Sequence, residues 1–264
     1  MSAAVTVERV VTERGELVLR RHGDHHEIIS NGVFLMDTRA GESERLLVRA
    51  ALGAVPPGAR LLIGGLGVGF SLAEAVRSAT PAEIVVVEIE PTLVTWHRTH
   101  LASVSGNALA DPRVRVVTAD LVRWLRTTDE TFEAICLDTD NGPDWTVFAG
   151  NAALYDETGA TLLRDRLTDG GVLTVWSAAT APDYVERLRA AIGPVTTYRV
   201  EVARGEPDVV YLARRVDNPS AASRPSLADD LPGSTLPQVE PDRLAGGAHP
   251  EQVPHSGDAP VRGT

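Results

Sequence analysis

The chain has 264 residues and a formal net charge of −11, a balance that disfavours nucleic acid and favours a small cationic partner. All 25 basic residues are arginine and none is lysine, which excludes a Walker phosphate loop and Schiff-base chemistry, both of which need a lysine amine. No apolar run reaches the roughly 20 residues that span a bilayer, and "MSAAVTVERVV" lacks a secretory pattern, so a cytoplasmic protein with no membrane partner is expected.

The chain opens with short strand-like runs: "VTVERVV", "ELVLRR", "HEIIS" and "VFLMD". Asn31-Gly32 between the last two is a strong hairpin signal, because both residues tolerate positive φ. His22, His25 and His26 fall in this region. Adjacent histidines on a strand point to opposite faces, so a polar strand end is expected and no metal. Residues 1–40 read as a small N-terminal β-strand domain. From "ESERLLVRAAL", residues 42–52, the apolar spacing turns helical.

Strands and helices then alternate. "ARLLIGG" is a buried strand, "FSLAEAVRSA" a helix and "EIVVVEIE" a second strand. Pro91 opens a helix, as favoured in a first turn; His97 and His100 are placed on its solvent edge. "VRVVTAD" is a third strand, followed by Leu121, Trp124 and Leu125 at helical spacing. "FEAICLD" is a fourth strand. Its Cys136, the single cysteine, reads as a buried small hydrophobe rather than a nucleophile. "ATLLRDRL" is helical, "GGVLTVWSA" a fifth strand, and Tyr184, Val185, Leu188 and Ile192 mark another helix. "TTYRVEVAR" and "DVVYLARR" close as an antiparallel pair. Trp96, Trp124 and Trp176 are assigned to the core, leaving Trp145 for a substrate wall.

The predicted fold class is α/β. A doubly wound, mostly parallel seven-stranded sheet at 41–215 follows the N-terminal hairpins. From 216 to 264 the chain holds eight of its 17 prolines and no Phe, Trp or Tyr, the composition of a disordered tail.

The chemistry-bearing residues gather at strand ends. "GGLGVG" follows the first strand of the alternating region, where ligands sit in such sheets. Gly65, Gly67 and Gly69 give G-x-G-x-G; Phe70 stands where a dinucleotide fingerprint has its last glycine, which counts against NAD. Glu88 ends the second strand 19 residues after Gly69, a place from which a carboxylate can accept from ribose hydroxyls. Asp120, ending the third strand, is either a helix cap or an acceptor from an adenine amino group. "CLDTDNGPDW" crowds Asp138, Asp140 and Asp144 beside Trp145. Such carboxylates can hold a cationic amine, and one with a raised pKa can take its proton.

These residues resemble the spermidine synthase family of polyamine aminopropyltransferases, over about residues 16 to 214. "GGLGVG" is similar to its glycine loop, "VVEIEP" to its acidic strand end, "VVTAD" to its adenine-contacting segment and "ICLDTDNGPDW" to its catalytic aspartate loop. The resemblance implies a class I methyltransferase-like fold and transfer of an aminopropyl group from decarboxylated S-adenosylmethionine to an amine. It implies that Gly65, Gly67, Gly69, Glu88 and Asp120 hold the nucleoside and Asp138 is the base, with Asp140 beside it. Asp144, Trp145 and Tyr155 would lie on the substrate side. It implies a co-substrate but no metal, and a homodimer formed through the N-terminal strands. The family's loop aspartate falls at Leu66 or Gly67 here, and its Tyr-His-Glu stretch reads "ESERLL". The nucleoside half therefore matches more closely than the amine half. Methyl transfer from S-adenosylmethionine and a non-catalytic nucleoside-binding role both stay open.

Overall fold

Two sheets organise the chain. The computed structural model describes residues 3–146, 148–203 and 205–216; the tail expected from 216 on lies, beyond Val216, outside the described residues.

The first sheet is an antiparallel meander of β1 (Val5–Thr12), β2 (Gly15–His22), β3 (His25–Ser30) and β4 (Val33–Asp37). Ser30 pairs with Val33, so Asn31 (φ 52°) and Gly32 (φ 79°) form the two-residue turn, as the dipeptide predicts. His22 stands opposite His25 and His26 opposite Arg21. Among the described residues no group of three or more metal-capable side chains converges.

The rest alternates as expected: α1 (Glu42–Leu52), β5 (Ala59–Gly64), α2 (Phe70–Arg77), β6 (Pro81–Glu88), α3 (Pro91–Arg98), β7 (Val114–Thr118), α4 (Leu121–Thr127) and β8 (Phe132–Leu137). There follow a short α5 (Ala152–Tyr155), then α6 (Glu157–Arg166), β9 (Leu167–Ser177), α7 (Pro182–Ala191), β10 (Val195–Val200) and β11 (Asp208–Arg214). The seven strands run in the order β10-β11-β9-β8-β5-β6-β7. Only β11 runs against the other six, antiparallel to both of its neighbours, β10 and β9. β5 pairs with β6 on one side and β8 on the other, which makes its carboxyl end the switch point of the sheet.

Both faces of this sheet are covered. Along β5, Leu61 and Ile63 pack with Leu47, Ala51 and Leu72 of α1 and α2. Leu62 packs oppositely, with Leu125, Leu163 and Leu188 of α4, α6 and α7. This alternation explains why the strands read as continuous apolar runs. A third core joins the meander to the glycine loop and α3 through Leu17, Leu19, Ile28, Val68, Phe70 and Trp96. The Trp96 indole also donates to the Glu8 carboxylate at 2.9 Å. Cys136 is fully buried, and burial pushes its thiol up to about 12. No helix among the described residues is long and apolar enough to cross a membrane.

Two expectations are corrected. His97 is buried, at 1% exposure, rather than at the solvent edge, because α3 turns it beneath the glycine loop. His100 lies beyond α3 and meets Glu8 at 3.0 Å. Trp124 and Trp176 pack against the core but are only half-buried, and Trp176 also lines the cavity, since it sits near the carboxyl end of β9.

Candidate active site

A cavity of about 330 Å³ opens over the carboxyl ends of β5, β6 and β8, a size suited to a small-molecule ligand. The meander supplies one wall with Phe34, Leu35, Met36 and Asp37; α1 adds Glu44 and β9 adds Trp176. The opposite wall carries Gly65, Gly67, Glu88, Asp138 and Asp140. Every charged residue among the described residues of this lining is acidic: Asp37, Glu44, Glu88, Asp138 and Asp140.

The glycine loop is shaped by close approach to other parts of the protein. Gly65 has φ +90°, and a Cβ there would lie 2.2 Å from the Asp138 carbonyl oxygen. That contact lets the ends of β5 and β8 converge. Gly67 has φ +50°, and the Met36 thioether sulfur lies 2.8 Å from where its Cβ would be. Both glycines still wall the cavity.

Glu88 is buried at 5% exposure. Its Oε2 accepts from the Leu66 N–H at 2.8 Å and its Oε1 from the Glu90 N–H at 2.7 Å. Burial pushes this carboxyl up and the charge of the nearby Glu90 adds to that, while the backbone donors of Glu90, Leu66 and Ile89 oppose it. Each oxygen keeps a second lone pair, so the group can accept from a pair of neighbouring hydroxyls.

Asp138 follows β8. Burial, reinforced by the charges of Glu44 and Glu88, pushes its carboxyl up to about 7. The Ser71 hydroxyl opposes this by donating to it. Glu44 is pushed up as well, by burial first and by the charge of Asp208. The Ser43 hydroxyl lies 2.9 Å from the Glu44 carboxylate and 2.7 Å from that of Asp208. Its single hydrogen serves one of them at a time. An acid poised near neutrality among further carboxyls can hold an ammonium and accept its proton.

The other expected residues are placed differently. Asp140 is buried in the wall and accepts from the Phe148 N–H at 3.4 Å. Tyr155 is buried behind the wall, its hydroxyl 3.0 Å from the Thr139 hydroxyl, and burial raises its phenol. Asp120 caps α4, accepting from the Arg123 N–H at 2.8 Å; its neighbours Ala119 and Leu121 reach the cavity. Gly69 is the N-cap of α2. Asp144 and Trp145 are exposed, Trp145 at 68%, because the turn at Gly142-Pro143 carries them away from the lining.

Sequence reasoning missed Glu44, Met36, Ser71 and Trp176. Glu44 looked like an ordinary acidic helix start. Trp176 was findable, since it ends a strand at the same edge of the sheet as Glu88 and Asp138.

Comparison with known proteins agrees with this architecture. The family model described as spermine/spermidine synthase domain matches residues 43–197. A polyamine aminopropyltransferase of Mycobacterium tuberculosis H37Rv is 31% identical over 227 residues, covering 82% of this chain and 42% of that protein. One from Corynebacterium efficiens is 31% identical over 199 residues, covering 71% and 37% respectively. The chain thus spans less than half the length of these curated relatives. The crystal structure of spermidine synthase from Thermotoga maritima superposes with a TM-score of 0.67 at 17% identity, covering 80% of this chain and 72% of that one. A spermidine synthase solved with the transition-state analogue AdoDATO gives a TM-score of 0.66 at 16% identity, covering 80% and 73%. The domain match spans more than half of the chain and includes the glycine loop, Glu88 and Asp138: the protein belongs to the spermine/spermidine synthase family.

Proposed function

We propose that this chain transfers an aminopropyl group from decarboxylated S-adenosylmethionine to an amine acceptor. The observation that carries this is the cavity whose charged lining is acidic among the described residues, with Asp138 poised near neutrality. The donor is cationic at its sulfonium and at its terminal amine, and the acceptor is an ammonium. The carboxylate of undecarboxylated S-adenosylmethionine would face this acidic wall without a cationic partner among its described residues.

In this reading Glu88 accepts from the ribose hydroxyls while Gly65 and Gly67 give the nucleoside a close backbone floor. Asp120, beside the cavity-lining Ala119 and Leu121, borders the adenine. Asp138 takes one proton from the acceptor ammonium, and Asp140 steadies the amine. The freed nitrogen lone pair attacks the methylene next to sulfur. The C–N bond forms as the C–S bond breaks, the sulfur keeps the bonding electrons, and methylthioadenosine departs. Positioning and exclusion of water supply the acceleration, without a covalent enzyme intermediate. Tyr155 acts indirectly, by holding Thr139 beside Asp138. Asp144 and Trp145 have no role in it. The proposal includes a cytoplasmic location, with which the lone buried thiol agrees, and a homodimer through the meander, whose exposed Val5, Val11, Val33 and Phe34 support it.

A second reading, methyl transfer from S-adenosylmethionine, is favoured by one feature. Met36 occupies only the Cβ direction of Gly67, and neither Leu66 nor Gly67 supplies a carboxylate at that point of the loop for a donor amine. Parallel titrations with the two donors, coupled to product analysis, separate the readings. Methylthioadenosine released only with the decarboxylated donor and an amine supports aminopropyl transfer. S-adenosylhomocysteine released from the carboxylated donor supports the second reading. Binding without turnover of either would make the chain a nucleoside-binding protein.

A further inference from the structure

His97 is a buried titratable group that the mechanism above does not use. Its Nε2 lies 2.9 Å from the Gly67 carbonyl oxygen. A carbonyl only accepts, so Nε2 carries the hydrogen and Nδ1 is the bare acceptor. That Nδ1 is buried and has no hydrogen-bond partner among the described residues, and burial lowers the affinity of the ring for a second proton. For packing alone, an apolar side chain would fill this place without stranding a buried nitrogen.

The ring is also wedged against the next glycine. A Cβ on Gly69 would lie 2.5 Å from His97 Cε1. Gly67 is therefore held from two sides: the Met36 sulfur lies in its Cβ direction and the His97 imidazole binds its carbonyl. One residue earlier, the Leu66 N–H is held by Glu88. Two side chains from the β6–α3 segment thus fix two peptide groups of the loop that walls the cavity, those linking Gly65 to Leu66 and Gly67 to Val68.

We propose that His97 is a positioning residue for the donor: its Nε2–H holds the Gly67 carbonyl beneath the loop and keeps the cavity-facing backbone in its ligand-ready shape. This rests on the donor reading above. Without that hydrogen bond the peptide linking Gly67 to Val68 is free to rotate, and its carbonyl competes for the space of the nucleoside.

The test compares His97→Leu and His97→Gln with the full chain, using methylthioadenosine as the calorimetric probe. His97→Leu is expected to bind it about tenfold more weakly, the worth of one buried hydrogen bond, with the melting temperature close to wild type. Its KM for the donor rises in proportion while kcat stays within about twofold. His97→Gln, whose amide N–H reaches the same carbonyl, restores most of the affinity. Amide hydrogen exchange over residues 65–70 rises in His97→Leu and not in His97→Gln, with the sheet core unchanged. Wild-type affinity and exchange in His97→Leu would overturn the proposal, as would equal weakening in both variants. If the wild type does not bind the probe, the donor reading falls, and the exchange measurement alone decides whether His97 holds the loop.

Discussion

The Ser71 hydroxyl donates to Asp138 Oδ2 at 2.7 Å, tying the first turn of α2 to the acid that ends β8. A hydrogen bond to a carboxylate favours its charged form, so this contact restrains a group that its burial and the nearby Glu44 push the other way. If Asp138 is the base, activity is lost as pH falls through about 7. Ser71→Ala removes the restraint and drives the carboxyl further up. The acid limb of the kcat–pH profile is expected to move to higher pH by about one pH unit.

Glu44→Gln works with the opposite sign. The charge of Glu44 raises Asp138, so neutralising it lets the carboxyl fall toward its ordinary range. The acid limb is expected at lower pH than in wild type. Rate profiles recorded in parallel for the two variants check the pair, and movement in the same direction would refute the assignment.

Asp138→Asn keeps the shape of the side chain and removes the proposed base. Turnover is expected to fall roughly 100- to 10,000-fold, while calorimetric affinity for methylthioadenosine stays within about threefold of wild type. A variant that turns over normally would remove Asp138 from the mechanism.

Glu88→Ala strands the Leu66 and Glu90 N–H groups, which both point at this carboxylate. Each unpaired buried donor costs about 1–3 kcal/mol. The melting temperature is expected to fall, and nucleoside affinity to drop by about tenfold or more. Unfolding scans with and without methylthioadenosine measure both effects on one sample.

Gly65→Ala tests the floor of the loop. The added methyl meets the Asp138 carbonyl oxygen at 2.2 Å, at a φ of +90°. A loss of about 3 kcal/mol is expected, which for a domain of this size lowers the melting temperature by roughly 6–12 °C. Unchanged stability would mean that the ends of β5 and β8 do not meet as described.

Much of the architecture was legible because its causes are local. The Asn31-Gly32 turn, the Pro91 helix start and the strand runs ending at Glu88 and Leu137 carry their own signals. The run "LLIGGLGVG" announced a tight turn after a buried strand. What those glycines accommodate was not announced. Their Cβ directions point at protein: Gly65 meets Asp138, Gly67 meets Met36 and Gly69 meets His97, while Gly65 and Gly67 also wall the cavity.

The amino-acid order by itself determined the alternating α/β elements, the acidic loop after β8 and the placing of Glu88 and Asp138 at strand ends. Periodicity, turn chemistry and charge act over a few neighbouring residues, and so can be read in one dimension. Only the tertiary structure decided that Glu44 stands near Asp138, that Met36 descends onto Gly67, that His97 is buried and that Trp145 faces outward. Those relations join residues from 30 to almost 100 positions apart, and they depend on how the meander and α1 settle over the sheet, which no local pattern encodes.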